Sequence, residues 1–170
     1  VISVLYAVPE IGPSAVRYML AHNTPRYSVY PDHSTPILVA PLIIAGKYLE
    51  LTGDCAFFAR DVSVMEGLRE NMRMLLSCLH GEHAMFSSRY ASDLITFNRY
   101  DYMTQVKCWV ALKSYAAILR AVGEDASETE ALMARMPEAM RELMECDGPF
   151  GRQIRGGTNA GECAEERFYN

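Results

Sequence analysis

The segment from Tyr30 to Asp54 constrains the fold most, because polar residues there lead directly into a run that is apolar on almost every side. Between Ile37 and Leu51 the only charged residues are Lys47 and Glu50. A helix with such a surface must be enclosed by other helices rather than by solvent. The sequence therefore predicts an inner helix over residues 36–51.

The ends of this inner helix carry recognisable signals. Ser34 or Thr35 can supply the capping oxygen, and Pro36 falls in the first turn, where its missing N–H costs nothing. Pro41 lies about one turn inside, where we expect it to remove a hydrogen bond or to bend the axis. At the other end, Gly53 can adopt the left-handed conformation that ends a helix.

Asp32 and His33 stand immediately before the inner helix, at the end where the helix dipole is positive. A negative group is favoured there, and a polar ligand can be held by the N–H groups of the first turn. Capping by Asp32 alone explains its presence equally well, so both interpretations stay open. At the far end, Asp54 can cap the helix that follows.

The composition is that of one globular domain, which we place at residues 1–170. Half of the 170 residues are hydrophobic, which is enough to bury a core. The net charge of −5, with no run of Lys or Arg, argues against nucleic acid as a partner. The longest apolar run, Ile37 to Ala45, is too short to cross a bilayer, and Val1 to Val8 lacks the basic flank of a signal peptide. We therefore expect no membrane partner.

The cysteines and the chain ends add two expectations. Five cysteines without a Cys-x-x-Cys pair, mostly in apolar helical segments, indicate reduced thiols and a cytoplasmic protein. The chain begins at Val1 rather than Met and stops at Asn170 without a closing signal, so we expect it to be part of a longer protein.

Apolar residues recur at spacings of three and four throughout, which predicts an all-α fold without a central sheet. Short turns alternate with long polar segments; if helices pair antiparallel across the short turns, both long segments emerge at one end. Gly123 should end the fourth helix, and Ser127 with Glu130 should form a capping box for the fifth. The expected helices are Ser14–Ala21, 36–51, Cys55–Leu79, Tyr100–Val122 and Thr129–Glu145, with loops at 23–33 and 80–99 and an aperiodic tail from Cys146.

Asp93 is the only carboxylate among residues 87–99, and its neighbours Leu94 and Ile95 are apolar. Such surroundings can raise the pKa of a carboxyl group and make it a general acid. A loop aspartate held by backbone amides is the other interpretation of Asp93, and it stays open.

Cys78, His80, Glu82 and His83 have the composition of a metal cluster, but their spacing matches no standard zinc pattern. The sequence also lacks a Gly-x-Ser-x-Gly elbow and a Walker-type phosphate loop. We therefore predict neither a metal nor another cofactor.

Several short motifs occur in a fixed order: Tyr48–Asp54, which reads Tyr-Leu-Glu-Leu-Thr-Gly-Asp, then Gly81–Met85, which reads Gly-Glu-His-Ala-Met, then Asp93 and Gln105–Leu112. Together they resemble the six-hairpin (α/α)6 glycosidases, most of all the cellobiose and chitobiose phosphorylase branch. That branch has Asp-Asp-Pro before an apolar helix ending in Tyr-(Leu/Ile)-x-x-Thr-Gly-Asp, then Gly-Glu-His-Gly-Leu and an Asp-Trp-Asn-Asp loop. Here Asp32–Pro36 replaces the acidic pair, and Asp93 matches the second Asp of the loop more naturally than the first.

The resemblance implies helical hairpins forming about half of an (α/α)6 toroid, with the long polar loops at one end. It further implies an inverting glycoside hydrolase or a glycoside phosphorylase that acts on an oligosaccharide or disaccharide, with inorganic phosphate as the second substrate of a phosphorylase. Asp93 would protonate the glycosidic oxygen, and Asp32, His33, Arg89 and Tyr100 would hold sugar hydroxyls, while water or phosphate attacks from the other face.

The alternative is a non-catalytic helical module, whose polar loops bind a partner or nothing. In either case five helices leave an open edge around the apolar inner helix. We therefore expect the chain to form a homo-oligomer, to contact the rest of a longer chain, or to expose an apolar patch.

Overall fold

The computed structural model describes residues 2–29, 34–87, 100–154 and 156–158. Within these ranges the chain is mostly helical, with three small antiparallel sheets of two strands each. The predicted helical class is thus confirmed, while the small sheets are an addition that the apolar spacing did not indicate. In the same ranges, no helix is both long enough and apolar enough to cross a bilayer.

In chain order, the described residues form five α-helices, then three short strands, two long helices and three more strands. The helices are α1 (Ile2–Leu5), α2 (Gly12–Val29), α3 (Ser34–Thr52), α4 (Cys55–Arg60), α5 (Val62–Leu76), α6 (Tyr102–Ala121) and α7 (Ser127–Met144), with a 3-10 turn at Pro9–Ile11. The strands are β1 (Leu79–His80), β2 (Met85–Phe86), β3 (Tyr100–Asp101), β4 (Glu145–Gly148), β5 (Gly151–Ile154) and β6 (Gly157–Thr158). The pairs are β1 with β2, β3 with β6, and β4 with β5.

Helix α3 is the inner helix, as its apolar surface predicts. It packs against α1, α2, α5 and α6. Its contact with α6 is close at Gly46, where an added Cβ would overlap the Cβ of Ser114 and lie 2.8 Å from its Cα. Only a glycine therefore allows the two helices to approach this closely. The buried apolar residues of α3 include Leu38, Val39, Leu42, Ile44, Ala45 and Tyr48.

Pro41 lies inside α3, and a polar side chain from α5 supports the helix beside it. Pro41 has no N–H to donate to the preceding turn. Asn71, which is fully buried on α5, donates a hydrogen bond from Nδ2 to the carbonyl of Leu38. Its Oδ1 has no hydrogen-bond partner in the described part of the chain. The helix thus continues through the proline with a tertiary contact at the turn that the proline weakens.

A closed set of hydrogen bonds forms the turn between α3 and α4. Gly53 has a φ of 66°, and Asp54 caps α4 by accepting the N–H of Phe57 at 3.0 Å, so both predicted roles are confirmed. Tyr48 donates its hydroxyl to Asp54 at 2.7 Å. Thr52 donates to the Tyr48 carbonyl at 2.8 Å and accepts the N–H of Asp54 at 3.2 Å. The residues of the Tyr-x-x-x-Thr-Gly-Asp motif therefore stabilise the turn between α3 and α4.

Helix α2 is longer than predicted. It continues to Val29 through Pro25, whereas the sequence predicts an end at Ala21 and a loop from residue 23. A proline removes one hydrogen bond from a helix but keeps a helical φ, and α3 and α7 also contain prolines. Proline is therefore a weak stop signal in this chain. Residues 30–33 of the predicted loop lie outside the described residues.

The prediction of one helix over Cys55–Leu79 is wrong, because the chain breaks at Asp61 into α4 and α5. Asp61 caps α5 by accepting the N–H of Val64 at 3.2 Å, and it also accepts the Ser63 hydroxyl at 2.7 Å. Its second oxygen pairs with Arg17 of α2 at 2.7 Å. Aspartate can compete with a helical turn in this way, although the apolar spacing continues across the break.

Helix α6 begins two residues later than predicted, at Tyr102. Asp101 is its N-cap and accepts the N–H of Thr104 at 2.7 Å. Tyr100 and Asp101 instead form β3, which pairs with β6 in the part of the chain predicted as an aperiodic tail. Gly123 follows the helix with a φ of 79°, which confirms its predicted role as a stop signal.

The capping box predicted at the start of α7 is wrong. Ser127 already lies inside the helix, and both its N–H and its hydroxyl bond to the carboxylate of Asp125 at 2.9 Å. Glu130 forms an ion pair with Arg120 of α6. A carboxylate two residues before Ser127 thus takes the place of the reciprocal Ser–Glu bonds. After α7, β4 and β5 form a hairpin.

Candidate functional site

A hydrogen bond joins the ends of the two polar segments. The Thr35 hydroxyl, in the first turn of α3, donates to the carbonyl oxygen of Ser87 at 2.6 Å. Thr35 lies just after residues 30–33, and Ser87 directly precedes residues 88–99. The residues that flank the two segments therefore meet at the N-terminal end of α3. Because α3 already begins at Ser34, Thr35 is not the predicted N-cap.

A tight turn between β1 and β2 brings the chain to Ser87. Ala84 in this turn has a φ of 49°, a left-handed conformation that favours glycine. Arg135 of α7 donates to the carbonyl of Gly81 at 2.9 Å and holds the turn against the helix. The glycosidase motif has glycine where Ala84 stands, so the turn itself explains that part of the motif.

Gln105 of α6 holds the residue before Ser87 from the other side. Its Oε1 accepts the N–H of Phe86 at 2.8 Å, and its Nε2 donates to the Phe86 carbonyl at 2.7 Å. Gln105 is fully buried and is not among the residues that the sequence predicts for the site. Its signal in the sequence is a polar side chain at an apolar position of α6, one turn before Cys108 and two turns before Leu112.

Tyr100, predicted to hold a sugar hydroxyl, lies against His80. Tyr100 is fully buried, and a hydrogen bond of 2.7 Å joins its hydroxyl to Nδ1 of His80. The two rings pack edge to face with centroids 5.5 Å apart, and the His83 ring lies 6.3 Å from Tyr100. The structure thus connects β1 to β3 through these side chains. A contact between Tyr100 and a sugar stays a prediction.

The other predicted site residues fall outside the described residues. They are the proposed acid Asp93 and the proposed sugar-binding residues Asp32, His33 and Arg89. Their roles stay predictions.

Among Cys78, His80, Glu82 and His83, whose side chains are of metal-binding types, the two histidines contact other protein groups. His80 bonds to Tyr100, and Nε2 of His83 lies 3.2 Å from a carboxylate oxygen of Glu82. Among the described residues, no group of three or more His, Cys, Asp and Glu side chains is placed to hold a metal ion.

An open cleft of about 670 Å³ lies near the opposite end of α3. A helix of this length separates it from Thr35 by about 25 Å. Arg17 crosses the cleft, with its guanidinium 5.1 Å from the Phe57 ring centroid and bonded to Asp61. The lining residues are Pro13, Arg17, Asp54, Ala56, Phe57, Arg60, Asp61, Val62 and Ser63.

The carboxylates of this cleft stabilise the helix junctions. Hydrogen bonds from Ser63 and then Arg17 lower the pKa of Asp61. Hydrogen bonds from Tyr48 and then the Phe57 N–H lower the pKa of Asp54. Each carboxylate is thus bonded to protein donors, Asp54 at the turn between α3 and α4 and Asp61 where α4, α5 and α2 meet.

Comparison with known proteins gives no relative: no family model matches the chain, and no curated protein matches it significantly.

Proposed function

We propose that this chain forms part of an (α/α)6 toroid that cleaves a glycosidic bond by general-acid catalysis, as an inverting glycoside hydrolase or a glycoside phosphorylase. The observation that carries the proposal is the bond between Thr35 and Ser87. It joins, at one end of a buried helix, the two residues that flank the segments containing the proposed acid and most of the proposed sugar-binding residues. Catalytic residues commonly lie on loops that a rigid helical scaffold positions.

In the proposed reaction, Asp93 donates its proton to the glycosidic oxygen as the bond to the anomeric carbon breaks. Water or phosphate attacks that carbon from the opposite face, so its configuration inverts. Asp32, His33 and Arg89 hold the sugar hydroxyls in place. In such a toroid, the base that activates water, or the residues that bind phosphate, come from the remaining hairpins.

The helical scaffold supports this proposal in two respects. Helix α3 is enclosed by α2, α5 and α6, as an inner helix of a hairpin layer would be. Thr35 and Ser87, which flank the polar segments, are bonded at its N-terminal end, while short turns follow α3 and α6 at their C-terminal ends. A cytoplasmic location is part of the proposal, because Cys55 and Cys108 occur as thiols.

The test compares Asp93→Asn with the wild type, both expressed from the complete reading frame. Turnover of a natural disaccharide, with and without phosphate, should fall by roughly a hundred- to ten-thousand-fold. An activated aryl glycoside needs little protonation of its leaving oxygen, so its turnover should fall much less. Asp147→Asn, at an exposed position of β4, is the matched control and should leave both rates unchanged.

Equal losses on the two substrates, or full activity of Asp93→Asn on both, would rule out the acid role of Asp93. If the wild type cleaves no disaccharide under either condition, the non-catalytic helical module becomes the better interpretation.

A further inference from the structure

The register of the β1–β2 hairpin leaves the backbone N–H and C=O of Phe86 pointing away from β1. Phe86 stands opposite Leu79, and the next residue, Ser87, donates its N–H to the Cys78 carbonyl at 2.8 Å. In an antiparallel pair, hydrogen-bonded positions alternate with positions whose N–H and C=O point outward. Phe86 occupies an outward position, so its backbone groups need a partner on the other side.

Gln105 supplies that partner in the manner of a neighbouring strand. One amide group both accepts the N–H and donates to the C=O of Phe86, at 2.8 and 2.7 Å. Its Nε2 also lies 3.3 Å from the carbonyl of Asp101, the N-cap residue of α6. All these groups are buried, where a lost bond leaves a polar atom without solvent and is costly.

Three consecutive contacts thus fix the backbone just before residues 88–99. Gln105 holds both polar groups of Phe86 from α6. The carbonyl of Cys78, in the turn after α5, accepts the N–H of Ser87, and the Thr35 hydroxyl of α3 donates to the Ser87 carbonyl. The position and the direction of the chain at Ser87 are therefore set by two helices, α6 and α3, and by the turn that follows α5.

We propose that Gln105 is a positioning residue, whose amide fixes the direction in which the chain leaves Ser87 for the segment that contains Asp93. The inference rests on the proposed function, because it gives Gln105 a part in placing the acid. Gln105 touches no substrate and acts through the backbone of Phe86. A misplacement of about 1 Å at a reacting group can reduce the rate about a hundredfold.

The chemistry of the side chain makes the proposal specific. An amide offers a donor and an acceptor together, which methionine cannot do. An ionised glutamate only accepts, so it would bond to the Phe86 N–H but repel the Phe86 carbonyl. A protonated glutamate carries one donor and one acceptor, and it can form both bonds again. Gln105→Glu should therefore be rescued by acid, whereas Gln105→Met should not.

The experiment uses the full chain and measures two quantities over a range of pH. The first is the protection of the Phe86 amide from hydrogen exchange, relative to its intrinsic rate at each pH. The second is kcat and KM on the disaccharide, per folded molecule. Gln153→Met, at a half-buried position of β5 remote in sequence from Phe86, is the matched control. The wild type at each pH accounts for the titration of other groups near the hairpin, which include His80, Glu82, His83 and Asp101.

We expect Gln105→Met to lose protection at Phe86 at every pH and to lose kcat by about a hundredfold with little change in KM. Gln105→Glu should regain both properties as the pH falls. If Gln105→Met does not fold, the acid rescue of Gln105→Glu decides the matter. A purely structural role would lower the melting temperature but leave kcat per folded molecule unchanged.

Unchanged Phe86 protection in Gln105→Met, or identical behaviour of the two variants at every pH, would overturn the proposal. If the wild type cleaves no glycoside, the proposed function fails and Gln105 loses its catalytic part. Phe86 protection in the variants would then still show whether the amide holds the backbone, so the two failures are distinguishable.

Discussion

Gly46 of α3 lies so close to Ser114 of α6 that a Cβ on Gly46 would overlap the serine side chain and fall 2.8 Å from the serine Cα. The backbone of α6 cannot move aside as a flexible side chain could. The two helices must therefore separate if any larger residue replaces the glycine.

The first prediction follows from this contact: Gly46→Ala should destabilise the fold. Alanine gains about 1 kcal/mol in helix propensity, but overpacking of a buried contact costs about 1–3 kcal/mol. Gly67→Ala is the control, because its nearest neighbour is the flexible Leu20 side chain at 3.1 Å. Urea denaturation should show a lower midpoint for Gly46→Ala alone. Equal midpoints for both variants would contradict the close contact.

A second prediction concerns Asn71, which donates to the Leu38 carbonyl. Asn71→Ala should lower the free energy of unfolding by about 1–3 kcal/mol, because the buried carbonyl loses a partner. Asn71→Asp should destabilise more at neutral pH, where a buried carboxylate faces that carbonyl.

The pH dependence of Asn71→Asp has a definite sign. Burial raises the pKa of a carboxyl in the folded state, so the native chain binds more protons than the unfolded one. The stability of this variant should therefore rise as the pH falls from neutral towards the pKa of an unfolded aspartate, about 3.9. Thermal melts at several pH values measure this, and a loss of stability over that range relative to Asn71→Ala would refute it.

The third prediction concerns Tyr48 and Asp54. The Tyr48 hydroxyl is the largest cause of the lowered pKa of Asp54, and burial followed by Asp54 raises the pKa of Tyr48. Tyr48→Phe should raise the pKa of Asp54, which NMR titration of its carboxyl carbon would detect. Thr52→Val removes a neighbouring hydroxyl and is the control with the smaller effect.

The bond between Tyr48 and Asp54 also fixes the direction in which the stability of the fold changes at acidic pH. Because the folded pKa of Asp54 is lowered, its contribution is present above the unfolded value of about 3.9 and is lost as the pH falls through the folded value. Tyr48→Phe should make stability depend less on pH over that acidic range. An unchanged dependence would mean that the bond to Asp54 does not persist in solution.

The fourth prediction concerns an apolar patch at the N-terminal end of the chain. Tyr6 is 64% exposed and Val4 47% exposed, and their apolar neighbours Ile2, Val8 and Ile11 are exposed as well. The chain should bind a hydrophobic dye or self-associate, since contiguous apolar surface is rarely left in water. Val4→Asp with Tyr6→Ser should weaken both effects, whereas Val62→Ser, an exposed valine at the start of α5, should not. Sedimentation of the unmodified chain as a dye-free monomer would refute this.

The features that the sequence predicts are those decided by neighbours along the chain. The inner helix and the turn at Gly53 and Asp54 follow from apolar spacing, a positive φ and a capping side chain, which all act within a few residues. The wrong predictions have a different origin. The break at Asp61 and the start of α7 depend on which side chain accepts a backbone N–H. Asp61 accepts the N–H of Val64, and Asp125 accepts that of Ser127.

The candidate site depends even more on distant partners. Threonine is a common N-cap residue, but the Thr35 hydroxyl bonds to the Ser87 carbonyl instead. The β1–β2 hairpin brings that carbonyl close to Thr35. Gln105 and Asn71 are polar residues at apolar positions of their helices. Such positions show that a buried partner must exist, but the partner is a backbone group that no sequence spacing identifies.

The central place of α3 has a consequence for synthesis of the chain. Its last residue, Thr52, is made about 70 residues before α6 is complete at Ala121. At roughly 5–20 residues per second, a ribosome needs about 3–14 s to add that length. During this interval α1, α2 and then α5 are available to cover the apolar helix, but α6 is not yet complete. For several seconds the nascent chain therefore presents to chaperones the face of α3 that α6 covers in the finished fold.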